Sequence, residues 1–307
     1  MRFGLCCIFN EEPIKFRHTT VTSSLKLKKQ TRLDKLSSIA LHNAATLHTA
    51  LEYCAGNNIG AFRILSQILP IKTHSIAGYD IQQLPDYEKI IALFKKCGRF
   101  ARKNNIRLTF HPDQFIVLNS PKKEVVANAI KELEYQAEVS EWVGADVINI
   151  HVGGAYGDKA KALITLRKNL DLLPDEVRKR ITIENDDKTF TPSEILPLCR
   201  AEKTPFVYDV HHHRCNPDEL SIETVTELAI QTWNREPLFH ISSPLEGWSG
   251  SKLYRHHDYI NVEDFPRIWE ELDITVEIEA KAKELAIKKL QNDLEKRKQH
   301  KMYKVLI

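Results

Sequence analysis

Histidines and carboxylates recur at the ends of short apolar runs in this sequence. The runs are Leu108-Thr109-Phe110-His111, Ile148-Asn149-Ile150-His151, Ile181-Thr182-Ile183-Glu184 and Phe206-Val207-Tyr208-Asp209, then a run carrying His240, then Glu277-Ile278-Glu279. A buried imidazole or carboxylate is costly unless it is paired or coordinated. One such residue is ordinarily a satisfied core group, but six at the ends of six successive strands form a set. Their donor types suit Zn, Mn, Fe or Co, and the absence of Cys from the set argues against a structural zinc site. Further donors lie close by: His211-His212-His213 follows Asp209, and His256-His257 precedes Asp258. In a helical or turn geometry Asp209 and His212, three apart, can face the same way. These are enough ligands for two or three metals. Clusters of this kind hydrolyse phosphodiesters, because the metals acidify a water and neutralise charge developing at phosphorus.

Such residues need a scaffold that brings strand ends together. β-Branched and apolar runs at 2–7, 61–65, 107–111, 146–151, 181–184, 205–210, 238–242 and 274–279 read as strands. Amphipathic stretches near 33–57, 87–104, 122–143, 159–172, 192–200, 222–233, 262–272 and 280–299 read as helices between and after them. Thr191-Pro192 with Glu194 is a helix start, Ser221 with Thr224 a weaker one, and Ser120-Pro121 opens another with Glu124 behind it. Gly144 sits where a left-handed cap is expected. Eight strand–helix units predict an α/β chain folded as a (β/α)8 barrel, whose strand ends converge on one face. The rival is a doubly wound open sheet; no G-x-G-x-x-G follows the first strand, which weakens its dinucleotide version. The barrel is expected over residues 1–280, with a basic C-terminal helix over 281–307 packed on it or extending from it.

The 307 residues carry 44 Lys and Arg against 41 Asp and Glu, so net charge (+3) does not announce a nucleic-acid partner. Basic residues do concentrate in 15–35 and 281–304, which are either solvated faces or contacts to a phosphate backbone. The 6 Cys show no C-x-x-C and read as reduced thiols of a cytosolic protein. There is no signal-peptide pattern and no apolar run of membrane-spanning length, so no membrane association is expected.

Read together, the motifs resemble the UV damage endonuclease family, within the barrels of the endonuclease IV and xylose isomerase kind. They are His111-Pro112-x-Gln114, His151-x-Gly153-Gly154-Ala155-Tyr156-Gly157, Glu184-Asn185-Asp186 and Asp209-x-x-His212-His213, followed by His240-x-Ser242-Ser243-Pro244, His256-x-Asp258-Tyr259 and Glu279-Ala280-Lys281. The resemblance implies metal ligation by His111, His151, Glu184, Asp209, His212, His240, His256 and Glu279. Glu184 would bridge two metals with Glu279 beside it, and His212 and His256 would serve a third. It implies Mn2+, with Zn2+, Co2+ or Mg2+ as alternatives. The implied reaction is a nick immediately 5′ of pyrimidine dimers and 6-4 photoproducts, with abasic sites as a further substrate, in damaged double-stranded DNA. His74, in Pro70-x-x-x-His74, matches an active-site position expected to contact the scissile phosphate or the attacking water, and joins Glu184 and His111 as the catalytic set. Gln114 and Phe115 match a pair that probes the lesion, the ring filling a vacated stack and the amide meeting the orphaned bases. Asn10 and Tyr156 complete the expected DNA contacts. A monomeric, cytoplasmic, nucleoid-associated enzyme is implied.

Three positions depart from the family pattern. Phe115 stands where Tyr is frequent. Leu238 stands where the family often has a Lys, two residues before the seventh-strand His, that can be carboxylated near the metals. The first strand has Gly4-Leu5 and Phe9-Asn10 in place of Gly-Tyr and a later Asn. Alternative readings are an abasic-site endonuclease of the endonuclease IV kind, a sugar isomerase or epimerase on the same barrel, and a non-catalytic damage-binding protein. Salt-sensitive DNA affinity would exclude the sugar enzyme.

Overall fold

The computed structural model describes residues 1–305, with side chains through residue 300; residues 306–307 of the expected C-terminal segment lie outside it. Its strands are β1 (Arg2–Cys6), β2 (Ala61–Ile64), β3 (Arg107–Phe110), β4 (Val147–His151), β5 (Ile181–Glu184), β6 (Phe206–Asp209), β7 (Leu238–Ile241) and β8 (Thr275–Ile278). All pair in parallel, each with its sequence neighbour, and β8 pairs back to β1. The sheet is therefore a closed barrel, and the open doubly wound alternative is excluded. The helices are α1 (Val21–Leu25), α2 (Lys29–Gly56), α3 (Tyr87–Lys103), α4 (Lys123–Val143), α5 (Lys159–Leu170), α6 (Asp175–Arg178), α7 (Pro192–Ala201), α8 (Val210–Cys215), α9 (Ile222–Ile230) and α10 (Glu284–Val305). None is long and apolar enough to cross a membrane among the described residues. The six cysteines are unpaired.

Local chemistry sets the boundaries. Thr191 and Glu194 form a reciprocal capping box with Pro192 in the first turn of α7. Gly144 ends α4 at φ 78°. Three helix expectations are corrected. The 262–272 stretch is two 3-10 turns, Val262–Asp264 and Arg267–Glu271, because Pro266 holds Phe265 extended and has no N–H to give. The last helix begins at Glu284, not 280. Residues 281 and 282 give their N–H groups to His257 and Asp258, and Lys283 takes φ 52°. Similarly, α4 opens at Lys123, since Ser120 Oγ accepts the Lys122 N–H and closes a turn first.

The main apolar core lies between sheet and helices. A separate small cluster of Val147, Val207 and Leu238 stands inside the barrel, with Trp233 against it. Below this floor Arg107 and Arg235 both pair with Asp146 and both lie over the Trp233 ring. On the outside α3 and α4 approach so closely at Gly98 that an added Cβ would stand 2.4 Å from the Val143 carbonyl oxygen. Gly98→Ala is therefore expected to lower stability by about 1–3 kcal/mol, as overpacking does. Denaturant unfolding checks this, and an unchanged midpoint would refute it. At the C-terminus α10 buries Ala286, Ile287, Leu290 and Leu294. The Glu284 carboxylate accepts the backbone N–H groups of Asn10 and Glu11, anchoring the loop after β1.

Candidate metal centre

Strand side chains alternate in and out, so residues two apart share a face. Above the apolar floor the barrel interior carries a polar layer of Arg63, Thr109, Asn149, Thr182, His240 and Glu277. The rim above it holds His111, His151, Glu184, Asp209 and Glu279. The register aligns these groups across strands: His151 lies opposite Glu184, and His240 lies opposite both Asp209 and Glu277.

Seven of the eight expected ligands fall into three linked groups of donor atoms within 4.8 Å of one another: His111, His240 and Glu279; His111, His151 and Glu184; Glu184, Asp209 and His212. His256 joins none of them, but its Nδ1 lies 3.9 Å from Glu279 Oε2 and its ring centroid 6.4 Å from that of His212. Glu184 is fully buried. Its Oε2 is 3.1 Å from His111 Nε2 and its Oε1 3.2 Å from His240 Nδ1 and 3.3 Å from His212 Nδ1.

Several rings are already oriented. A carbonyl can only accept, so His111 Nδ1 donates to Pro112 O at 3.2 Å and His212 Nδ1 to Asn185 O at 3.0 Å. When such a ring ligates a cation, Nε2 is then the nitrogen left to offer the lone pair. Asp209 divides its carboxylate: Oδ1 caps α8 by accepting the His212 N–H at 2.8 Å, which sets His212 beside it, and Oδ2 stays free. The Asn185 amide joins the ends of β5 and β6 through the Asp209 N–H and carbonyl.

Glu184 Oε1, Asp209 Oδ2, His240 Nδ1 and His151 Nδ1 are buried without a hydrogen bond, despite the ion-pair distances above. Each such group ordinarily costs about 1–3 kcal/mol. All four residues belong to the converging donor groups, as expected of a site built for divalent cations. His211 Nδ1 is also unpartnered. Charge is correspondingly displaced. Burial alone would raise Glu184, but His240, His151, His111 and His212 hold it well below the usual carboxylate range. Burial raises Asp209. Burial likewise pushes His151 down to about 4, against the pull of Glu184.

The other expected site residues are more dispersed. Gln114, Phe115, Tyr156, His151 and His212 line one cleft of about 1190 Å3, along with Lys122, Lys188 and Tyr254. Phe115 is 74% exposed, which excludes a core role for its ring. A second cavity of about 530 Å3 lies beside Arg63, His256, Glu279, Lys281 and Lys283. Neither cavity is lined by His74 or Asn10. Asn10 is exposed in the loop anchored by Glu284. His74 is half-buried, and its Nδ1 accepts the N–H groups of Ile76 and Ala77 at 3.1 and 3.2 Å, leaving Nε2–H as a donor.

Sequence reasoning assigned no role to Arg63, Asn149 or Glu277. Asn149 donates to Glu184 Oε2 and accepts from Thr182 Oγ1. Arg63 pairs with Glu277 and, at 2.7 Å, with Glu279 Oε1. The signal was available: each of these polar residues stands between two apolar neighbours in a strand, and Asn149 and Glu277 lie two residues before a ligand.

A family model described as UV-endonuclease UvdE matches residues 1–306. A UV DNA damage endonuclease of Bacillus velezensis is 37% identical over 95% of this chain and 93% of its own length. Another, from Bacillus mycoides, is 37% identical over 88% of this chain and 86% of its own. The crystal structure of SacUVDE superposes with a TM-score of 0.85 at 29% identity, covering 97% of this chain and 99% of that one. Endonuclease IV from Thermus thermophilus shares the fold, with a TM-score of 0.62 at 15% identity over 96% of this chain and 100% of its own.

Proposed function

The chain belongs to the UV-endonuclease UvdE family, and from that premise we propose that it is a DNA repair endonuclease that nicks damaged duplex DNA immediately 5′ of pyrimidine dimers and 6-4 photoproducts. The observation that carries the reading is the convergence of seven His and carboxylate ligands around buried donor atoms that have no hydrogen bond. His111, His151, Glu184, Asp209, His212, His240 and Glu279, with His256 at the margin, would hold two or three divalent cations, Mn2+ first among them. When bound, such ions supply Lewis-acid charge against the phosphate and lower the pKa of a water.

The chain's own groups do the rest. Glu184, common to two of the donor groups, would serve cations in both. Glu184 and His111 stand at the reacting phosphate, and His74, with Nε2–H free, donates to a phosphate oxygen. The 1190 Å3 cleft is roomy enough for extruded bases, with Gln114 and Phe115 at its mouth and Tyr156 within reach. Lys122, Lys188, Lys281 and Lys283 at the two cavities contact the phosphate backbone, with Asn10 on the loop after β1. The enzyme acts as a cytoplasmic, nucleoid-associated monomer.

A 5′-labelled duplex with one thymine dimer tests this. A Mn2+-dependent nick just 5′ of the dimer, abolished by chelator, is expected. Nicking at an abasic site with none at the dimer would overturn it. Phe115→Ala should leave thermal stability unchanged, because the ring is exposed, and weaken binding to dimer-containing DNA by about 1–3 kcal/mol, the worth of one base–aromatic stack. Equal affinity of parent and variant for the lesion would remove Phe115 from lesion probing.

A further inference from the structure

We infer that Glu277, clamped by Arg63, is a positioning residue of this centre: it fixes His240 in the tautomer that leaves Nδ1 bare for a cation. The inference rests on reading the cluster as a metal site. In the β7–β8 register Glu277 stands directly beside His240, and both are buried. His240 Nε2 lies 3.0 Å from Glu277 Oε2, while Nδ1 faces Glu184 Oε1 at 3.2 Å and Glu279 Oε1 at 3.5 Å without a hydrogen bond. Both oxygens of Glu277 are occupied. Oε1 accepts from Thr109 Oγ1 at 2.5 Å, and Oε2 accepts from Arg63 Nε at 2.5 Å. Glu277 is thus a support and not itself a ligand, which is consistent with its absence from the converging donor groups.

Two tautomers compete at His240. Arg63 Nη2 is also 3.0 Å from Nε2, and a guanidinium can only donate. Were Nε2 to accept from Arg63, the ring proton would sit on Nδ1 and point at Glu184, where a cation belongs. The Glu277 carboxylate, which can only accept, favours Nε2–H instead. Arg63 meanwhile balances Glu277 and holds Glu279 Oε1, leaving the other oxygen of Glu279 toward His256. No polar group on β7 could do this, since Leu238 packs on Val147 and Val207. The orientation is opposite to that of His111 and His212, whose Nδ1 atoms donate to carbonyls.

The test uses the full chain with 15N-labelled histidine, loaded with diamagnetic Zn2+. His240, assigned by its loss in His240→Gln, should carry its proton on Nε2, and His111 and His212 on Nδ1. Glu277→Gln should keep the parent's circular dichroism under chelator yet bind Mn2+ about 10–100-fold more weakly, the usual effect of losing an outer partner of a ligand. A proton on His240 Nδ1 in the loaded parent overturns the inference, as does parent-like Mn2+ affinity in a folded Glu277→Gln. Should that variant fail to fold, the tautomer of the parent decides alone. A parent that takes up no metal overturns the proposed function as well, so the two failures are distinguishable.

Discussion

Glu184→Gln is expected to lower nicking by on the order of 10³-fold or more, beyond the 10–100-fold that loss of an outer partner brings. Glu184 is the one carboxylate shared by two donor groups, and its two oxygens look in different directions: Oε2 toward His111 and His151, Oε1 toward His240 and His212. An amide of the same shape removes the charge and presents N–H to one of those sides, where a bound cation needs an acceptor. Asn149 already donates to Oε2, so the amide oxygen would be held on that side and the NH2 turned toward His240 and His212. Metal content counted by atomic emission after gel filtration should fall by at least one ion per chain. Asp209→Asn makes a graded comparison: its Oδ1 serves α8 and only Oδ2 is free, so it should lose less. Full metal content with activity within tenfold of the parent would sink the bridging role of Glu184.

Much of this arrangement was legible from spacing. The alternation Ile148-Asn149-Ile150-His151 fixes that 149 and 151 share the barrel interior, and the repeat of that pattern on neighbouring strands makes a ring of ligands. The i, i+3 relation of Asp209 and His212 was readable too, because an Asp at a strand end is a ready cap for the helix that follows. What spacing leaves open is reach between strands. Arg63 lies 214 residues from Glu277, and only the closure of β1 on β8 brings them into contact. The helix expected at 262–272 failed for a different reason: its apolar periodicity is genuine, but Pro266 interrupts the backbone hydrogen bonds. The start of α10 at Glu284 was hidden because the N–H groups of Lys281 and Ala282 go to the loop between β7 and β8, a tertiary partner no local pattern announces. His74 and Asn10 came from family resemblance alone, and neither side chain lines the two cavities.

Acid should strip the metals well before it unfolds the chain. In the metal-free protein burial pushes His240 down, but the Glu184 and Glu277 carboxylates outweigh it and hold the imidazole up at about 10. His212 is likewise raised, burial being overcome by Asp209 and Glu184. Both rings are therefore protonated at neutral pH and must release a proton to ligate, whereas His151, pushed down to about 4 by burial, is already neutral. Each displaced proton makes apparent affinity change about tenfold per pH unit, so with two displaced, Mn2+ binding should weaken by up to about 100-fold per unit on acidification. Stability without metal runs the other way. A histidine raised from 6.5 to about 10 stabilises the fold fully below 6.5 and loses that contribution as pH climbs toward 10. Glu277 has the opposite sign. Burial would raise it, but Arg63 and His240 hold it at about 2, so its contribution is present above 4.5 and lost as pH falls toward 2. Between pH 6.5 and 10 the Tm under chelator should therefore decline, while the extra Tm conferred by Mn2+ grows. Calorimetric titration in buffers of different ionisation enthalpy should report proton release on loading. Binding with no proton release, or a metal-conferred Tm gain that is flat across this window, would show that His240 and His212 are neutral before the metal arrives.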